Sequence, residues 1–222
     1  MLFRTKGIVL HSVKYGESGI ITRTYTEKFG KQSFLVHGVR KKKSKISPYL
    51  FQPLSILDII AYIKTSRNLQ KVKEIKSSTV LKSIHFDVRK SSVALFISEL
   101  LNRVIREEEP DIQLFIYLDN AIQMLDFIEE GIENYHLIFL MQFTKFLGIY
   151  PKNNLNLSRY SLPGNLNLYD LLDYSLADAK KLRMDSTTRT QALDQLLLYY
   201  RDHIGEINEI KSLKVLHDVF AP

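Results

Sequence analysis

The stretch Ile20-Ile21-Thr22-Arg23-Thr24-Tyr25-Thr26 is almost entirely β-forming. It places Ile20, Thr22, Thr24 and Thr26 on one face of a strand and Ile21, Arg23 and Tyr25 on the other. Working outward, Thr5 to Val13 reads as a strand before it, ending at the turn-like Tyr15-Gly16-Glu17-Ser18-Gly19. Lys28-Phe29-Gly30-Lys31 reads as the next turn and Ser33 to Val39 as a third strand. Pro53 opens a fourth, Leu54 to Ile63; after the turn Thr65-Ser66-Arg67-Asn68, Leu69 to Ser77 makes a fifth. Five short strands with no helical period between them predict a small barrel, with the strand number of an OB-fold.

Beyond residue 80 the period changes. Val93, Phe96, Ile97, Leu100, Leu101, Val104 and Ile105 fall at helical spacing, and Glu107-Glu108-Glu109-Pro110 closes that element. Leu114 to Ile128 predicts a second helix. Tyr135 to Leu147 predicts a third, apolar nearly all round and so central to a bundle, with Gly148 as its cap. Tyr169 to Leu176, Thr188 to Ile204 and Ser212 to Phe220 predict three more. The expected class is therefore α+β: a five-stranded OB-fold barrel over 1–80, then an all-helical domain over 81–222. An irregular insertion at about 152–169, rich in Asn and Leu, interrupts the second part.

Charge divides at the same place. Residues 1–80 hold 16 Lys+Arg against 4 Asp+Glu, and residues 81–222 hold 15 against 20, within a net charge of +7 for 222 residues. A basic barrel suits a polyanion, because neutralising phosphates releases counterions. The strongest feature is Arg40-Lys41-Lys42-Lys43-Ser44-Lys45, read as a flexible electrostatic hook leaving a strand. Lys14, Arg23, Lys64, Arg67, Lys71 and Lys73 are further candidate phosphate contacts, the last two sharing a face by their spacing. Tyr15, Tyr25, Phe34 and Tyr62 are candidates for stacking on bases, although core positions suit most of them better.

Other chemistries find little support. There is no cysteine, which excludes disulfides, thiol catalysis and Cys-ligated metals. Gly30-Lys31-Gln32 departs from a P-loop, and Gly16-Glu17-Ser18-Gly19 is one residue short of a nucleophile elbow. No two of the six histidines lie three to five residues apart. Glu107-Glu108-Glu109 and Glu129-Glu130 read as solvated helix ends. With no signal-peptide pattern and no apolar run long enough for a membrane span, the expectation is a cytoplasmic, non-enzymatic protein without a metal or other cofactor.

Five segments then resemble one family in order and spacing: Lys6-Gly7-Ile8-Val9-Leu10, Tyr15-Gly16-Glu17-Ser18, Thr26 to Lys31, His37 to Ser44, and Leu50-Phe51-Gln52-Pro53-Leu54. The family is RecO, the bacterial recombination mediators. Leu69 followed by Glu74 is similar to the end of its barrel. Phe146-Leu147-Gly148-Ile149-Tyr150-Pro151, Arg189 to His203 and Ser212 to Leu216 are similar to segments of its helical domain. Many members carry a four-cysteine zinc motif after the position of Pro151; here Lys152 to Tyr169 has none. The resemblance implies binding of single- and double-stranded DNA, strand annealing, and action with RecR to load RecA onto strands coated by single-strand-binding protein (SSB). It also implies contact with the acidic, apolar-ended SSB tail, for which Arg183, Arg189 and Arg201 are candidate acceptors. The residues themselves leave a general OB-fold RNA-binding protein open as the alternative.

Overall fold

The computed structural model describes residues 1–64, 67–106, 109–151, 160, 167–205, 207 and 209–221. Five strands close into a barrel: β1 (Leu2–Tyr15), β2 (Gly19–Thr26), β3 (Gly30–Val36), β4 (Ile56–Tyr62) and β5 (Gln70–Ser77). Their order around the barrel is β1-β2-β3-β5-β4. All pairings are antiparallel except the β3–β5 seam, which pairs Phe34 with Gln70 and Leu35 with Lys71 in parallel.

β1 carries the closure. Its first half pairs with β4 and its second with β2, and Gly7 and Ile8 pair with both. A Cβ at Gly7 would come within 3.0 Å of the Ile59 Cδ1, so a side chain at this crossing would have to displace Ile59 from the barrel core. The β2 alternation is as its composition dictates. Ile20, Thr22, Thr24 and Thr26 are buried inside, and Arg23 is exposed. Tyr25 points away from the barrel interior but is buried all the same, against the helices.

Strand ends shift from the sequence expectation: the first runs Leu2–Tyr15 rather than Thr5 to Val13, the third begins at Gly30 rather than Ser33, and two further shifts have a local cause. The third strand ends at Val36 rather than Val39, because Gly38 takes a left-handed turn at φ 75°. The fourth starts at Ile56 rather than Leu54. Leu54 has φ 62°, rare for a residue with a side chain, and its backbone N–H bonds the Val9 carbonyl at 2.8 Å while its side chain joins the helical core. Between β3 and β4 a short 3-10 helix, Pro48–Phe51, breaks the all-β expectation. Its start was legible in Ser47-Pro48, a capping residue followed by proline at the first helical position.

The helices are α1 (Val88–Val104), α2 (Ile112–Phe127), α3 (Ile132–Phe143), α4 (Ser186–Ile204) and α5 (Ser212–Phe220). Asp87, Asp111 and Asp185 cap α1, α2 and α4 by accepting backbone N–H groups of the first turn. α3 is buried on almost every side, as its composition requires. The single helix expected at Tyr169 to Leu176 is instead two 3-10 helices, Leu168–Asp173 and Leu176–Lys181. Each opens on a capping box, Asn167 with Asp170 and Ser175 with Asp178. Most of the insertion expected at 152–169 lies outside the described residues. Within it, Tyr160 is buried on Tyr199 and donates to Asp202 at 2.7 Å.

Barrel and bundle share one core. Ile8, Leu10, Tyr25, Leu54 and Ile56 belong to the same buried cluster as the apolar faces of α1–α4. Tyr25 stacks on Phe115 at 6.5 Å, and its hydroxyl accepts from the Asp111 backbone N–H at 3.2 Å. Lys31 on β3 reaches the C-terminus of α1, donating to the Ile105 carbonyl at 2.8 Å and to that of Asn102, where a cation also meets the negative end of the helix. The connection before α1 is tied as well: the Asp126 carboxylate accepts the backbone N–H groups of Lys82, Ser83 and Ile84.

Glu99 ties the start of α5 to α1. It accepts from the Lys211 N–H at 3.1 Å, the Ser212 N–H at 2.9 Å and the Ser212 hydroxyl at 2.6 Å, and pairs with Arg103 at 2.5 Å. Burial alone pushes this carboxyl up, but Arg103 and the hydrogen bonds outweigh it and hold it at about 2. The value is depressed, so the stabilisation is complete above the ordinary 4.5 and is lost as pH falls toward 2. Glu99→Gln is expected to cost about 1–3 kcal/mol at neutral pH. In urea melts at stepped pH the gap to wild type should close as the acid range is entered; a gap independent of pH would contradict the assignment.

Candidate nucleic-acid interface

The basic run Arg40 to Lys45 is not a loose hook. Val39 and Phe51 are buried, and Ile46 and Leu50 half-buried, against Ile20, Val36, Val72 and Ile75, so the segment closes one end of the barrel. Apolar residues on either side of the cations anchor it and turn the charges outward. Within it, the Lys41 N–H bonds the Gly38 carbonyl at 3.3 Å, the Ser44 N–H bonds the Lys41 carbonyl at 3.0 Å, and the Ser44 hydroxyl bonds Ile46. Arg40 docks the segment on the β1–β2 turn: its N–H bonds the Ser18 carbonyl at 3.0 Å and its guanidinium the Gly16 carbonyl.

Lys14 stands opposite Ile20 in register, at the same end of the barrel. Lys64 and Arg67 flank the β4–β5 turn, which the buried side chain of Gln70 holds. Its oxygen accepts from the Lys64 N–H at 3.0 Å, and its nitrogen donates to the Lys64 and Arg67 carbonyls at 2.9 and 2.6 Å. Gln70 was missed in the sequence; its one signal is an amide at a position where alternation asks for an apolar residue. Lys71 pairs with Tyr62, and Lys73 falls at the bulge where the register shifts between Ile60 and Ala61. The extra residue there turns Lys71, Lys73 and Glu74 outward while Val72 and Ile75 face in.

Thus two groups form, one around the β1–β2 turn (Arg40, Lys41, Lys42, Lys43, Lys45, Lys14) and one on the β4–β5 hairpin (Lys64, Arg67, Lys71, Lys73). Arg23 stands apart, opposite His11 on the side of the barrel that faces α1. All eleven cations are exposed, and among the described residues none forms an ion pair, whereas Asp58 of β4 pairs with Arg4 and Lys76. Of the candidate aromatics, Tyr25 and Phe34 are buried, while Tyr15 and Tyr62 are half exposed. Tyr49, on the 3-10 helix that follows the basic run, is 69% exposed and was overlooked in the sequence.

Among the described residues no group of three His, Asp or Glu side chains is placed to hold a metal ion, and no helix is long and apolar enough to cross a membrane. A four-cysteine zinc site has no donors in this chain.

Comparison with known proteins adds the following. Residues 1–80 match the family model described as Recombination protein O N terminal, and residues 85–154 match Recombination protein O C terminal. Over its full length the chain is similar to proteins named DNA repair protein RecO. The one from Phocaeicola vulgatus is 34% identical over 243 residues, covering all of both chains. That from Bacteroides fragilis strain YCH46 is 36% identical over 241 residues, covering 99% of this chain and all of the relative. That from Flavobacterium psychrophilum is 35% identical over 239 residues, again covering both chains completely.

Because Arg40 also holds the segment in place, the clean test of charge spares it. Replacing Lys41, Lys42 and Lys43 by Ala should weaken binding to oligo-dT strongly and flatten the log–log salt dependence by about 2, at roughly 0.7 per phosphate contact on a single strand. Anisotropy titrations across a salt series would show this; an unchanged slope would remove the segment from the interface.

Proposed function

The chain belongs to the RecO family, and on that premise we propose that it is a DNA-binding recombination mediator in recombinational DNA repair of the RecF type. It binds single- and double-stranded DNA without reading sequence, anneals complementary strands, and with RecR assists the loading of RecA onto SSB-coated strands. It works in the bacterial cytoplasm, at the nucleoid, without a cofactor or bond-making chemistry of its own. The observation that carries this reading is the set of exposed barrel cations without acidic partners among the described residues.

The mechanism follows from electrostatics. Lysines on an ordered surface neutralise phosphates and release counterions, which makes binding favourable and indifferent to base identity. Two strands held this way repel each other less, and the cost of bringing complements together falls. Exposed Tyr15, Tyr49 and Tyr62 offer faces on which unpaired bases stack.

For the SSB tail, three arginines were candidates. Arg183 is exposed after the second 3-10 helix of the pair, and Arg201 is exposed in the last turn of α4. Arg189 is half-buried beside a pocket of about 470 Å³ with apolar walls from Leu193, Leu216 and Phe220. Its guanidinium donates to the Phe220 carbonyl at 3.3 Å and lies 5.9 Å from the Phe220 ring centroid. A cation in an apolar pocket suits an acidic chain end that finishes on an apolar residue, so the tail is assigned to Arg189.

Two experiments test these assignments. Annealing of complementary oligonucleotides coated with SSB should accelerate at least tenfold when the protein is added, and no acceleration would sink the mediator reading. Arg189→Gln should weaken binding of an SSB-tail peptide about tenfold in calorimetry while leaving oligo-dT binding unchanged; equal loss of both would point to a general fold defect instead.

A further inference from the structure

Between the barrel and α1 lies a cleft of about 900 Å³, outside the two cation groups described above. One wall is β1 and β2, with His11, Ser12 and Arg23; the other is α1 and the start of α5, with Glu99, Arg103, Arg106 and Lys211. Glu99 is committed to Arg103 and to the start of α5. Arg23, Arg106 and the Lys211 ammonium have no ion pair among the described residues. The Nε of Arg103 and the side-chain oxygen of Asn102 are both buried without hydrogen-bond partners, and of the two only the Nε–H is a donor that can meet an anion. A buried N–H left unpaired is a costly feature in a wall unless a ligand meets it.

Two neighbours register the resulting field. His11 is held below its ordinary value by burial and then by Arg23, and Lys31 is lowered by burial and then by Arg23. The cleft is therefore a net positive, partly desolvated space, where an anion gains more than it would on an open surface.

Its position points to the anion. Phe51 and Pro53, from the same connection that carries Arg40 to Lys45, line the cleft. Along β1, His11 in the cleft and Tyr15 at the turn docked by Arg40 are four residues apart, about 13 Å of extended chain. The cleft thus continues the basic surface of the barrel end. We propose that it is a phosphate-binding groove, and that its recessed place between barrel and α1 admits the backbone of a single DNA strand in preference to a duplex. This rests on the DNA-binding reading and extends it: the open cation groups serve either form of DNA, and the groove adds a preference for the unpaired one.

The test uses the full chain and two labelled ligands, oligo-dT and a duplex of equal length, across a salt series. Arg23→Ala with Arg106→Ala should lower oligo-dT affinity about tenfold near physiological salt and flatten its salt slope by about 1.4, leaving the duplex within about twofold. Arg23→Lys with Arg106→Lys should restore most of the loss, which a folding defect would not allow. Equal loss for both ligands, or no loss for either, would overturn the groove. Two further outcomes would overturn it in favour of another occupant. One is unchanged oligonucleotide binding with loss of a thermal shift caused by dTMP; the other is loss only of binding to an oligoglutamate peptide. If wild type binds neither DNA, the underlying reading fails, a result distinct from failure of the groove alone.

Discussion

An extended chain sends successive side chains to opposite faces, and β1 breaks that rule once, at the bulge between Val9 and His11. Before the break, Val9 faces the barrel core; Leu10 and His11 then both face outward, Leu10 into the helical cluster and His11 into the cleft. Ser12 returns to the inner face, bonding Thr22 at 2.9 Å. One inserted residue thus lets a single 14-residue strand close a barrel with β4 and β2 and still offer an apolar surface to α1. The burial of Leu10 in the shared core and the place of His11 in the cleft both depend on it.

The same economy governs charge. Of the barrel acids, Asp58 meets Arg4 and Lys76 on the side of the barrel, while the cations at the barrel end are left to solvent. Their order comes from apolar anchors and backbone hydrogen bonds, not from ion pairs. An incoming phosphate therefore displaces counterions rather than protein carboxylates, and the side chains it meets sit on backbone that is already ordered.

What the sequence made legible was periodic or local. The alternation in Ile20 to Thr26 and the apolar surface of α3 announced their environments because burial imposes a repeat. The cationic run at Arg40 to Lys45 was visible as charge, but its ordered shape was not, since that comes from Ser18 and Gly16 across a turn. Bulges at Leu10 and Lys73 left no local mark, because they are decided by the strand opposite. The same holds for Lys31 on α1 and Glu99 on α5. In both cases an ordinary polar residue finds its purpose in partners elsewhere in the chain, 74 residues away for Lys31 and 113 for Glu99.

The connection between β5 and α1 is held at both ends. Ser78 is bonded back to Ile56, and Lys82 to Ile84 hang from the Asp126 carboxylate. With Lys31 bonded to the end of α1 and Leu54 buried in the bundle, barrel and helices are tied on both sides of that connection. Such a molecule is a ruler. On the proposed function, DNA resting on the barrel and a protein tail held by the helices would be kept at a set spacing, and a hand-over between them would be timed by the arrival of the partners and not by a swing of the protein.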